Sequence, residues 1–210
     1  MQSKRETRHH QTEIRAASDG STRTLEGYAA QYNVLSTPLY DPQLGEFFEI
    51  LLPGAFADAV VDADCTCNID HDDHELLGRT PTSLVLTDDE TGLHFVCSLP
   101  DTAAGQKAYT HVDRGDIRSC SFAFDVLDES WDTTPDGAPL RQVKKVKLYD
   151  VAIVIRPAYE FETQLSVRSL DLAKQIVPPP VAPEALSIPL MDRPDPHAWR
   201  RLLLDLSEKS

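Results

Sequence analysis

Residues 119–126 read S-C-S-F-A-F-D-V. In a β-strand, Cys120, Phe122, Phe124 and Val126 point to one side, and Ser119, Ser121, Ala123 and Asp125 to the other. One side is aromatic and aliphatic, fit for a core. The other is small and polar. The alternation predicts a strand from about Asp116 to Leu127. On its N-terminal side the period changes. Ala104, Ala108 and Val112 recur every four residues, so Thr102–Arg114 reads as a helix, with Asp101 or Thr102 to cap its start and Gly115 to stop it. On the C-terminal side, the turn-rich stretch Asp132–Pro139 leads into a long strand, Val143–Ile155, which Arg156-Pro157 ends.

Further out, strands dominate. Glu13–Ser18 and Thr22–Tyr32 flank Asp19-Gly20, a short-range hairpin signal. Phe47–Leu52 is strand-like and is followed, after Pro53-Gly54, by an expected short helix, Ala55–Val61. Ala63–His71 alternates, with Ala63, Cys65, Cys67 and Ile69 on one face and His71 closing it. Ser83–Thr87 and Leu93–Leu99 flank the acidic turn Asp88–Gly92. Gln164–Arg168 reads as a last short strand. Composition then shifts: residues 177–196 hold seven prolines, the mark of a stiff linker. Beyond it Trp199, Leu202, Leu203 and Leu206 form one helical stripe, with Asp195 as N-cap and Pro196 at the first helical position. The expected organisation is a β-rich body over 1–170, a proline-rich linker over 171–196 and an amphipathic helix over 197–210. There is no internal repeat.

The net charge of −14 argues against a nucleic-acid-binding surface, which needs clustered Lys and Arg. Between Asp58 and Asp101 there are eleven acidic residues and one basic residue, Arg79. A solvated acidic face explains this; attraction to basic peptides or a basic partner is the functional alternative. The polar N-terminus, M-Q-S-K-R-E-T-R-H-H, has no apolar stretch after it, and no later run is long enough to span a bilayer, so neither a secretory signal nor a membrane partner is expected. The four cysteines, at 65, 67, 97 and 120, are then expected as free thiols. Cys65 and Cys67 precede His71 and His74, but C-x-C-x3-H-x2-H is not a common zinc spacing.

Nucleophilic chemistry needs an accessible hydroxyl and a base within hydrogen-bond reach. Ser121 and Ser119 lie on the small face of their strand, where a substrate backbone has room. Taken alone they also fit ordinary strand serines, since no G-x-S-x-G elbow is present. His71 and His74 are the base candidates in N-I-D-H-D-D-H-E-L-L-G-R-T. The neighbouring Asp70, Asp72 and Asp73 favour an imidazolium. In V-K-L-Y-D-V-A-I-V, Asp150 shares an expected face with Val146, Leu148, Ala152 and Val154. A carboxylate there is costly unless paired, with histidine or with an arginine such as Arg118. A glycosidase-type acid pair is chemically permitted, but nothing singles out two carboxylates. No phosphate-cradling glycine loop appears.

Read together, these segments resemble the prohead proteases of tailed phages. The resemblance runs in order from about Thr24 to Ser169: G-Y-A-A-Q-Y-N at 27–33, E-I-L-L-P-G-A-F at 49–56, D-H-D and L-G-R-T within 70–80, T-G-L-H-F at 91–95, L-P-D-T-A-A-G at 99–105, R-G-D-I-R-S-C-S-F-A-F at 114–124, L-Y-D-V-A-I-V at 148–154 and P-A-Y at 157–159. The resemblance implies His71 as base, Ser121 rather than Ser119 as nucleophile, and Asp150 as third member where relatives usually carry glutamate. It departs from the family at Ala123, where glycine is usual, and at Asp70, where asparagine is usual. It implies an α+β, mainly β fold: a compact β-barrel with flanking helices, similar to the herpesvirus assemblins and often paired as homodimers. It implies a serine endopeptidase that cuts scaffold, or the scaffold-like extension of the major capsid protein, and itself. The expected setting is the host cytoplasm, inside the procapsid, with no cofactor and no metal. Arg79 and Arg156 mark loops worth inspecting. The rival readings are a non-enzymatic capsid-assembly protein that keeps the fold, and a metal-binding module built on Cys65, Cys67, His71 and His74.

Overall fold

The computed structural model describes residues 5–11, 14–61, 63–155 and 172–173, all within one unit, Met1–Val177. The expected last strand (164–168), the expected linker apart from residues 172–173, and the terminal helix lie outside the described residues. In chain order the elements are β1 (Glu6–Gln11), β2 (Arg15–Ser18), β3 (Arg23–Gln31), β4 (Leu39–Asp41), β5 (Gly45–Leu51), β6 (Thr66–Ile69), β7 (Asp72–Arg79), β8 (Leu84–Asp88), β9 (Gly92–Ser98), α1 (Ala103–Asp113), β10 (Ser119–Thr133) and β11 (Pro139–Val154).

The fold is mainly β, with one full helix among the described residues. Two hairpins form as expected, β2–β3 around Asp19-Gly20 and β8–β9 around the acidic turn, and join as a four-stranded sheet ordered β2-β3-β9-β8. The second sheet has seven strands. Its spine is β1-β10-β11-β5-β4, and β6 and β7 attach to the far end of β11. The long strand β11 runs parallel to β5 at one end and to β6 at the other, while β1 and β11 flank β10 antiparallel. The described strands form these two sheets with no pairing that closes them into a barrel.

Cys120, Phe122 and Phe124 enter the main core as the alternation predicts, with Leu25, Phe95, Val112, Val151 and Ile153. Thr102 caps α1, its side chain accepting from the Gly105 backbone N–H at 3.3 Å. Gly115, at φ 73°, turns the chain after the helix. The expected helix at 55–61 is instead a set of turns, such as Ala57 N–H to Gly54 C=O at 3.1 Å and Val60 N–H to Phe56 C=O at 3.1 Å. So short a segment gains too few helical bonds to offset nucleation.

β1 was not expected. Its residues, E-T-R-H-H-Q, offer no apolar alternation, yet Glu6 and Arg8 are buried. They join Glu49, Glu129 and Arg141 in an ion cluster on the inner face of the seven-stranded sheet. Arg8 binds Glu49 through Nε at 2.8 Å and Glu6 at 2.6 Å. Arg141 binds Glu129 at 2.5 Å, Glu6 at 2.8 Å and Glu49 at 3.1 Å.

Candidate active site

The site lies on the outer face of the same sheet. The register aligns His9 of β1, Ser121 of β10, Ala152 of β11 and Asn68 of β6 in one row across four strands. Ser121 sits mid-strand on the small face of β10, as expected. The open space expected around it is absent: Ser121 is 0% exposed. Its hydroxyl lies 2.8 Å from the Arg8 carbonyl, positioned to donate to it.

Asp150 reaches this face through a bulge. Ala123 pairs with Asp150 and Phe124 with Leu148, so Tyr149 is an extra residue on β11. Such an insertion reverses the facing of every later side chain. Asp150 therefore shares its face with Ala152 and Val154 as expected, but not with Val146 and Leu148, which point into the core. It is 2% exposed.

His71 is not the last residue of a strand face. β6 ends at Ile69, and Asp70 and His71 form the two-residue turn into β7, with Ile69 paired to Asp72. Both turn residues are left-handed, at φ 52° and 60°, as a type I′ hairpin turn demands. For a residue with a Cβ this costs about 1–2 kcal/mol, and strain of this kind persists where the surroundings fix it. Asp70 does the fixing. Its N–H donates to the Ile153 carbonyl at 3.0 Å, and its carboxylate accepts from the Ile155 N–H at 3.0 Å. Asp72 accepts from the His74 N–H at 2.8 Å. The acidic neighbours of His71 thus shape its turn.

The turn carries the His71 ring over the sheet. Nδ1 lies 2.6 Å from Asp150 Oδ1 and Nε2 lies 2.6 Å from Ser121 Oγ. The three residues the sequence singled out form one hydrogen-bonded chain: carboxylate, imidazole, hydroxyl. His74 is exposed on β7 and takes no part in this chain, and Ser119 lies one row away. Arg79 pairs with Asp64 at the surface. Arg156 lies outside the described residues.

The sequence reading missed the N-terminal contacts. Arg5 donates to the second carboxylate oxygen of Asp150, and its guanidinium also lies 5.1 Å over the Tyr149 ring. The His9 ring meets the His71 ring edge-on at 6.2 Å. Burial depresses the His9 pKa to about 4, and the neighbouring His71 and Arg8 charges push the same way.

No group of three His, Cys, Asp or Glu residues suited to a metal gathers among the described residues. The four cysteines are buried and unbridged. Burial pushes the Cys65 thiol up to about 12, and the nearby Asp150 charge adds to the rise, which makes it a poor thiolate ligand or nucleophile.

The model of the caudovirus prohead serine protease family matches residues 10–176. The chain belongs to that family. Membership places it among the serine proteases of phage capsid maturation. The matched span holds His71, Ser121 and Asp150, whereas Arg5, Arg8 and His9 precede it. Among solved structures, the bacteriophage T4 capsid assembly protease gp21 is similar at 12% identity over 72% of this chain and 99% of that one, with a TM-score of 0.40. No curated protein matches the chain. No described helix is long and apolar enough to cross a membrane.

Proposed function

We propose that the chain is a serine endopeptidase that cleaves scaffold, or a scaffold-like extension of the major capsid protein, and itself, inside the assembling procapsid in the host cytoplasm. The observation that carries this reading is the His71 ring, held between Asp150 and Ser121 at 2.6 Å on each side. His71 removes the Ser121 proton as Oγ attacks the peptide carbonyl, then returns that proton to the leaving amine. Water releases the acyl group by the same route. Asp150 fixes the ring orientation and stabilises its protonated form.

The second reading, a non-enzymatic assembly protein, is favoured by the burial of Ser121. Co-expression with the capsid protein separates the two. Mass spectrometry should show capsid or scaffold fragments with the wild type and none with Ser121→Ala. Identical fragment patterns would overturn the protease reading.

A further inference from the structure

Ser121, Ala123 and Asp125 follow one another on the outer face of β10, since Phe122 and Phe124 between them point into the core. Asp125 has no part in the line of Asp150, His71 and Ser121. It is 5% exposed, and only one of its oxygens is used. The Tyr149 hydroxyl donates to Oδ2 at 2.6 Å, whereas Oδ1 is buried with no hydrogen-bond partner. A buried carboxylate left short of donors is costly. Native structures hold few such groups, and each calls for a partner.

The cations around Tyr149 are engaged elsewhere. Arg5 donates to Asp150 and lies 5.1 Å over the Tyr149 ring. Lys147, the cross-strand partner of Asp125, turns its ammonium to the same ring at 4.9 Å. The hydrogen bond to Asp125 raises the Tyr149 pKa, so the phenol stays a donor and holds the carboxylate in place. Oδ1 is left bare. Along an extended strand, Asp125 lies about 13 Å from Ser121, with only the Ala123 methyl between them on that face. A peptide lying along this strip with its scissile carbonyl at Ser121 brings a side chain to Asp125 from roughly two to four residues away, the shorter spacing for a long side chain. A lysine or arginine there completes a charge-assisted hydrogen bond with Oδ1. An acidic side chain there sets two carboxylates together, which is unfavourable. Ser121 and Asp125 are both buried, so the movement that admits a peptide to one acts on the same strip as the other.

We propose that Asp125 is a specificity-determining residue, whose bare Oδ1 receives a Lys or Arg side chain of the substrate a few residues from the scissile bond. The proposal rests on the serine endopeptidase reading, with Ser121 as nucleophile. It gives the acidic character of the chain a local use: one fixed carboxylate oxygen, on the face that carries the hydroxyl, selects a basic peptide.

The test is a cleavage profile. The full-length protein is incubated with a proteome-derived peptide library cut at glutamate, so that Lys and Arg stay inside the peptides. New termini are read by mass spectrometry, with Ser121→Ala as background. The wild type should show Lys and Arg enriched at one position within that distance of the cut. Synthetic peptides made from a cleaved sequence, with Lys or Ala at that position, should differ about tenfold or more in kcat/KM, as a desolvated charge pair requires. In Asp125→Asn, which keeps the side-chain shape, this ratio should disappear whatever the absolute rate. A purely structural Asp125 would instead lower the melting temperature on substitution and leave the ratio unchanged. The wild-type profile tests the proposal even where the variant does not fold. Cleavage that depends on Ser121 but shows no basic preference, or a preference that Asp125→Asn keeps, would overturn the proposal and leave the protease reading in place. A library left as intact by the wild type as by Ser121→Ala would overturn the protease reading, and the proposal with it.

Discussion

On the inner face of the seven-stranded sheet, two guanidiniums and three carboxylates surround one another in a buried cluster. On its outer face, over the same strands, a carboxylate, an imidazole and a hydroxyl stand in line. The inner cluster is mutual. Arg141 binds three carboxylates and Arg8 two, and both guanidiniums share Glu6 and Glu49. The outer line is directional: each His71 nitrogen has one partner, and the line ends at the Ser121 hydroxyl, the proposed nucleophile. Redundancy suits stability, because a buried charge is tolerated only when fully matched. A line suits proton transfer, because each link passes its effect to the next. β1 belongs to both, with Glu6 and Arg8 in the cluster and Arg5 and His9 at the line.

This contrast can be broken at several points. Ser121→Ala should abolish processing while thermal unfolding stays near that of the wild type, and His71→Ala should be as damaging, since members of one catalytic unit are not additive. An active His71→Ala with an inactive His74→Ala would transfer the base to His74.

Arg141→Leu strikes the cluster instead. It leaves Glu6, Glu49 and Glu129 short of a partner and should cost about 3–5 kcal/mol of stability, measured by urea denaturation. A change under about 1 kcal/mol would show that the cluster does not hold the fold.

Asp150→Asn keeps the shape of the outer line but removes its charge. Turnover should fall by roughly a hundredfold, less than the loss of about ten-thousandfold in the well-studied triads. A lower melting temperature with near-normal turnover of folded protein would recast Asp150 as a structural ion-pair residue.

Acid should loosen β1 through both faces. Burial alone would raise the Glu6 pKa, but the Arg141 and Arg8 guanidiniums outweigh it and hold the carboxyl below its ordinary 4.5. Its contribution is complete above that value and is lost as pH falls through the lower folded one. His9 is likewise depressed, from 6.5 to about 4, so the unfolded chain takes up its proton first. Stability should therefore decline as pH falls from 6.5 towards 4, then further as Glu6 protonates. A melting temperature flat across this window, or the same decline in His9→Gln above pH 4.5, would sever His9 from the effect. The smallest expected effect is Ser119→Ala, which should keep most activity because the residue next along the face meets no member of the line.

Much of this was legible in the sequence, and the limits are local ones. The alternation at 119–126 predicts the core face of β10. The four-residue period and Thr102 predict α1. Asp19-Gly20 and Asp88–Gly92 predict their hairpins. Each pattern expresses a preference that a residue and its near neighbours share. The grouping of Ser121, His71 and Asp150 was legible too, from residue type and from resemblance to the prohead proteases, and the structure brings the three together. β1 was not, because its buried charges find their matches at Glu49 and Arg141, far along the chain.

By itself, then, the sequence determined the core strand β10, the two hairpins β2–β3 and β8–β9 and the bounds of α1, and it singled out the three residues proposed to carry the chemistry. Only the tertiary structure decided how they face one another. The Tyr149 bulge turns Asp150 to the outer face, and the left-handed Asp70-His71 turn swings the imidazole over the sheet. β1 lies alongside the serine that the strand pattern left open, and its Arg8 carbonyl accepts from the Ser121 hydroxyl. The reason is separation. The links from His71 to Asp150 and to Ser121 span 79 and 50 positions, and that from Ser121 to the Arg8 carbonyl spans 113. A periodic pattern encodes which side of a strand is apolar. It does not encode which distant strand will lie alongside it, nor the single inserted residue that turns a carboxylate from one face to the other.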